Sequence, residues 1–218
     1  MIDTATRLRN GALQCIRARG LAATTSRHIT AAAGVNLAGI TYHFGSKDQL
    51  VGEALLGAIR DGLEPTLAIL RRDIDPLQRM LAAFSTLEDA FEASSELLPI
   101  YVEALAHARH SSELRAGLTA LFDDIHSLLR DQIADLKQRA LLPEWVDPTA
   151  MASLHLAVAD GLAVNANLNG RDPRAAARQF VALLAGASTA TLPTEPSPNL
   201  RPKRAPERAN PSRVRRQT

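Results

Sequence analysis

Four residues, Ala33-Gly34-Val35-Asn36, separate two short stretches of helical periodicity in the segment TTSRHITAAAGVNLAGITYHFGSKDQL, residues 24–50. Gly34 can take the positive φ that closes one helix, and the Asn36 side chain can cap the next. Gly45-Ser46 then ends that second helix and opens a third. Two short helices on so tight a turn form a helix-turn-helix, which sets its second helix in the major groove of DNA. The expected helices run from about Thr4 to Arg19, from a cap at Thr24 or Thr25 to Ala33, from Leu37 to Phe44, and onward from a Ser46 cap through Ala54, Leu55 and Ile59. Ile40 and Phe44, four residues apart, give the second helix of the motif its inward face.

The rest of the chain is helical in pattern. Hydrophobic residues make up 46% of the 218 and aromatics only 4%, so Ala- and Leu-rich helices must supply the core. Periodicity predicts helices over 76–93, 96–108 and 111–140. Pro143 is expected to stop the third of these. Asp147-Pro148 and Asp172-Pro173 each place a capping carboxylate before a proline, predicting helices to about Leu168 and Ser188. The fold class is therefore all-α. Three regions follow: a helix-turn-helix head over 1–50, a helical body over 51–190, and a basic tail over 191–218, expected to be disordered, that holds half of the twelve prolines.

Charge follows the same division. The head holds six basic and two acidic residues, the body twelve and nineteen, and the tail seven and two. A basic head on an acidic body suits a DNA reader joined to a domain with another task. Cys15, the single cysteine, excludes an internal disulfide, and no apolar run approaches a membrane span. A cytoplasmic protein without a membrane partner is expected.

Residues Gly34-Val35-Asn36 through Tyr42-His43-Phe44-Gly45-Ser46-Lys47, with Gly20, Thr24-Thr25, Arg27 and Ile29 upstream, resemble the DNA-binding domain of the tetracycline-repressor (TetR) family of bacterial regulators. The resemblance covers about residues 5–52. It implies about nine helices: a three-helix reading head, a linking fourth helix, and a ligand-binding body whose last two helices pair across a two-fold axis. The implied partners are double-stranded operator DNA, a small-molecule effector and a second copy of the chain.

With Ile40 and Phe44 inward, Leu37, Ala38, Gly39 and Thr41 are the candidates for base edges. Tyr42, His43, Lys47, Thr25, Ser26 and Arg27 are candidates mainly for phosphates, beside Asn36 at the turn. In the body Phe84, Phe91, Tyr101, Phe122, His126 and His155 are the candidate effector contacts, because bulky or amphipathic groups are rare there. Tyr101, Phe122 and His155 form the preferred set. An acidic body favours an uncharged or cationic effector.

Glu103, His107 and His110 share a helix face, and Asp123 and His126 are three apart. Neither group repeats in the way a helical di-metal site requires. No metal, cofactor or catalytic residue is expected, and no phosphate loop or nucleophile elbow is present. The alternative is an all-α carrier or enzyme whose N-terminal bundle does not bind DNA.

Overall fold

A computed structural model describes residues 3–76, 78–79, 82–83, 97–170 and 172–186. Eight helices fall within them: α1 Thr4–Arg19, α2 Ser26–Ala33, α3 Ala38–Phe44, α4 Lys47–Leu70, α5 Leu97–His107, α6 Ser112–Gln138, α7 Pro148–Asn169 and α8 Arg174–Gly186. The described residues contain no strand. Of the helix expected over 76–93, residues 76, 78, 79, 82 and 83 are helical; Phe84, Phe91 and the tail lie outside the described residues.

Helix ends follow local chemistry. Asp3 accepts from the Thr6 N–H, Thr25 from His28, Ser46 from Gln49, Ser111 from Leu114 and Asp147 from Ala150. Each carboxylate or hydroxyl satisfies a donor that the first helical turn leaves open. Thr25 is the cap of α2. Thr24 is fully buried, and its hydroxyl donates to the Gly20 carbonyl at 2.8 Å. Gly34 closes α2 in the left-handed region, at φ 62° and ψ 41°.

Two further ends are set by packing and by backbone closure. α4 continues through Pro65 to Leu70, although proline removes one backbone bond. Its last turns bury Leu67 and Leu70, so tertiary packing holds them helical. α6 stops at Gln138, close to the expected Ala140. Ala140 adopts φ 56°, Leu141 N–H donates to the Leu136 carbonyl, and Ala140 N–H donates to Lys137. This is the closure usually made by glycine.

One hydrophobic core runs through head and body without a break. It links Leu8, Ile29, Ile40 and Phe44 to Leu50, Val51, Leu55 and Ile59 of α4, then to Ile100, Leu114, Leu118 and Leu121. Leu8, Ile29, Leu50 and Leu55 are fully buried, each stabilising by about 1.5–3 kcal/mol. A smaller cluster of Ile133, Val146 and Ala152 joins α6 to α7. Arg79 fastens the chain after α4 onto α6, reaching Asp135 at 2.7 Å and also Gln132.

Candidate nucleic-acid interface and effector region

The head is clamped from within. On α1, Gly11 lets α2 approach so closely that an added Cβ would lie 2.9 Å from the Ile29 carbonyl oxygen. One turn earlier, Arg7 Nη2 donates to the carbonyls of Ala33 at 2.6 Å and Gly34 at 2.8 Å. A cation on the last carbonyls of α2 answers the negative end of the helix dipole and fixes the turn. Neither residue stands out in the sequence, because each partner is far along the chain.

At the start of α3, Asn36 Oδ1 accepts from the Gly39 N–H at 3.0 Å, the capping role expected of it. The helix turns Ile40 and Phe44 inward and leaves Leu37, Ala38, Thr41, Tyr42 and His43 exposed, Leu37 at 53% and Tyr42 at 85%. Gly39 is buried, and an added Cβ would meet Val35 Cγ1 at 2.7 Å, so it packs closely on the turn while its backbone borders the groove beside α3. Thr25, Arg27 and Asn36 are exposed, and Ser26 is half-buried.

Lys47 at the N-terminus of α4 donates from Nζ to the Thr24 carbonyl at 3.2 Å. An ammonium has three donors, so this bond aims the side chain and leaves two. Beside α3 runs an open groove of about 520 Å³ bordered by Thr4, Arg7, Asn36, Ala38, Tyr42 and His43. The Tyr42 and His43 rings meet edge to face at 4.8 Å. Hydroxyl, imidazole, guanidinium and ammonium donors thus flank an exposed helix face, a surface that can take a phosphate backbone on its rim and base edges at its centre.

In the body, Tyr101 is buried and its hydroxyl donates to Asp160 Oδ1 of α7 in a short hydrogen bond. Its ring stands edge to face with Phe122, centroids 6.3 Å apart. Burial, and then the Asp160 bond and charge, push the phenol above its ordinary value of 10.0, so it remains a donor. Tyr101 and Phe122 are therefore brought together, while the contacts of His155 are with other residues. Five residues along α7 put His155 about 140° around the helix from Asp160. It packs edge to face on Phe180 at 5.2 Å and bonds the Met151 carbonyl through Nδ1 at 2.8 Å. Burial holds its pKa below the ordinary 6.5, although the Met151 bond opposes the shift. His126 engages the Thr149 carbonyl and Ser153 on α7. Asp160 escaped the sequence reading, since a lone carboxylate in a helix carries no local signal. Glu103 has a partner that its helix neighbours did not suggest: Oε1 accepts from the Leu21 N–H in the head at 3.3 Å.

This geometry agrees with the comparisons. Residues 8–54 match the model of bacterial regulatory proteins of the tetR family, and residues 75–187 match that of the BetI-type transcriptional repressor C-terminal domain. The chain belongs to the TetR family. It is a DNA-binding transcriptional regulator with that family's N-terminal helix-turn-helix. Among TetR-family relatives, the HTH-type transcriptional regulator PksA of Bacillus subtilis (strain 168) is 27% identical over 151 residues, 69% of this chain and 72% of PksA. A putative transcriptional regulator from Pseudomonas aeruginosa PAO1 superposes with a TM-score of 0.72 at 22% identity, covering 84% of this chain and 89% of that one. One from Saccharomonospora viridis, solved in complex with choline, superposes with a TM-score of 0.69 at 19% identity, covering 82% and 95%. Among the described residues, no helix is long and apolar enough to cross a membrane.

Proposed function

We propose that this TetR-family regulator is a homodimeric repressor, without enzymatic activity, that leaves a palindromic operator when an uncharged or cationic organic molecule enters the body. The exposed face of α3, flanked by Tyr42, His43 and Lys47, carries the DNA-reading part of this proposal. Leu37, Ala38 and Thr41 are assigned to base edges, and Thr25, Ser26, Arg27, Tyr42, His43 and Lys47 to the backbone. Gly39 borders the same groove through its backbone.

An apolar stripe supports the dimer. Leu154, Ala157, Gly161, Val164 and Leu168 recur on α7 at alternating spacings of three and four, and all are exposed in the single chain. Leu168 is 74% exposed, and Leu183 of α8 is 63% exposed. Such a stripe is the seam of a helix pair awaiting its mate.

The effector class rests on Asp160, Tyr101 and Phe122. A carboxylate beside aromatic rings is suited to an organic cation, and the S. viridis regulator holds choline. An effector that binds the operator-incompetent spacing more tightly shifts the population off DNA, by its differential affinity alone. Operator DNA must weaken effector binding by the same factor.

Gel shifts across a salt series, with duplexes from the region beside the protein's own gene, test the assignment. Lys47→Ala is expected to weaken all sequences alike and to lower the salt slope by about one. An unchanged slope removes Lys47 from the phosphate contacts. Thermal shifts against choline and against a dicarboxylate test the effector class; stabilisation by the dicarboxylate alone would reverse it.

A further inference from the structure

Residues 20–24 and the cap Thr25 join α1 to α2, and this loop is held from three sides. Within the loop, Thr24 N–H donates to the Leu21 carbonyl at 3.0 Å, and the Thr24 hydroxyl donates to Gly20. From α4, Lys47 grips the Thr24 carbonyl. From the body, Glu103 accepts from the Leu21 N–H. The next residue, Thr25, is the cap of α2. The position of this loop therefore sets where α2 begins, and α2 carries the turn and α3. Gly20 stands at φ 75°, and an added Cβ there would lie 3.6 Å from Glu103 Oε1. That contact is an ordinary van der Waals one, so the positive φ, and not lack of space, is what calls for glycine here.

Glu103 and Tyr101 are two residues apart on α5, about 200° around the helix. One short helix thus presents Tyr101 to Asp160 and Phe122 on one side and Glu103 to the head on the other. A shift of α5 by a few tenths of an ångström would lengthen the 3.3 Å bond beyond hydrogen-bond range.

We propose that Glu103 is a positioning residue through which the body holds the reading head in its DNA-competent pose, by accepting from the Leu21 amide. This rests on the DNA-reading role of the head and names the residue that connects it to α5. The carboxylate touches no DNA. It acts by narrowing the orientations of α2 and α3, and an ensemble spread over more orientations binds more weakly in proportion to its competent fraction.

The test compares Glu103→Ala and Glu103→Gln in the full chain. Glutamine keeps an acceptor oxygen at the same reach but no charge. Two readouts are used: exchange of the Leu21 amide proton by NMR, and affinity for the duplex beside the protein's own gene. In Glu103→Ala the amide is expected to exchange faster, and duplex affinity to fall about tenfold, while far-UV helicity is unchanged. Glu103→Gln is expected to restore slow exchange and to bind within about twofold of wild type. Wild-type affinity in Glu103→Ala would overturn the proposal, as would slow Leu21 exchange in that variant. A Gln variant as weak as the Ala variant would also overturn it, because charge and not acceptance would then be responsible. A wild type that shifts no duplex at low salt would instead sink the DNA-reading role on which the proposal stands.

Discussion

Substituting Gly11 by alanine sets two known energies against each other. Alanine in a helix interior is about 1 kcal/mol more favourable than glycine. Opposing this, the new methyl would lie 2.9 Å from the Ile29 carbonyl oxygen, 3.1 Å from the Ala33 nitrogen and 3.2 Å from the Ala33 Cβ. None of these atoms ends a flexible side chain, so α2 must retreat from α1 as a unit. Overpacking of this kind costs about 1–3 kcal/mol. The clash wins, and Gly11→Ala should be net destabilising by about 1 kcal/mol, lowering Tm by about 2–4 °C in a chain of this size. Gly57 is the internal control: it also lies mid-helix, but an added Cβ there meets nothing within 4 Å. Gly57→Ala should raise Tm by a similar amount. Differential scanning calorimetry of the two variants reads the contrast directly. If Gly11→Ala stabilises as much as Gly57→Ala, the close approach of α1 and α2 is not a constraint, and the account of the head is wrong. Duplex affinity should fall in Gly11→Ala alone, since α2 carries α3.

Ala140→Gly should stabilise by about 0.5–1 kcal/mol, because a residue at φ 56° suits glycine and the closing bonds are already in place; an unchanged urea midpoint would contradict this. His155 is half-buried with its pKa held below 6.5 by desolvation, so the unfolded chain binds its proton more readily. Its contribution makes stability fall as pH drops below 6.5 towards the folded pKa. His155→Phe should therefore flatten the acid limb of a stability profile, and parallel limbs would exclude that role. Leu168→Glu places a charge on the exposed α7 stripe and should leave a folded monomer by light scattering; an intact dimer would move the seam elsewhere.

What the sequence made legible was chiefly what is decided within one helical turn. Gly20, Gly34, Ser46, Ser111 and Asp147 mark helix ends because a cap needs only a partner three or four residues away. Asn36 caps α3 for the same reason. The inward pair Ile40 and Phe44 follows from helical period alone. Contacts made across tens of residues were not legible. Arg7 reaches Ala33, Lys47 reaches Thr24, Glu103 reaches Leu21 and Tyr101 reaches Asp160, and no local pattern distinguishes these side chains from solvated ones. His155 was grouped with Tyr101 by amphipathic character, whereas its rotational position on α7 sends it to Phe180. The end of α6 was read near Ala140 with Pro143 as its breaker, since prolines are visible, while an alanine in the left-handed region announces nothing.

The uninterrupted core through α4 has a consequence for how such regulators can be recombined. Residue 50, where composition first suggests a boundary, is the fourth residue of α4. Leu50, Val51 and Ala54 pack with the head, and Leu67 and Leu70 close the far end of the same helix. A graft that exchanged reading heads at residue 50 would sever the helix inside its first turn and pair one parent's α1 with the other's α4. An interchangeable cassette must instead carry α4 as far as Ile59. It must also keep a carboxamide or carboxylate at position 103 in the recipient to meet the incoming loop. Inheritance of new operator specificity by shuffling is thus easier among chains that share this joint than among chains that share only a similar head.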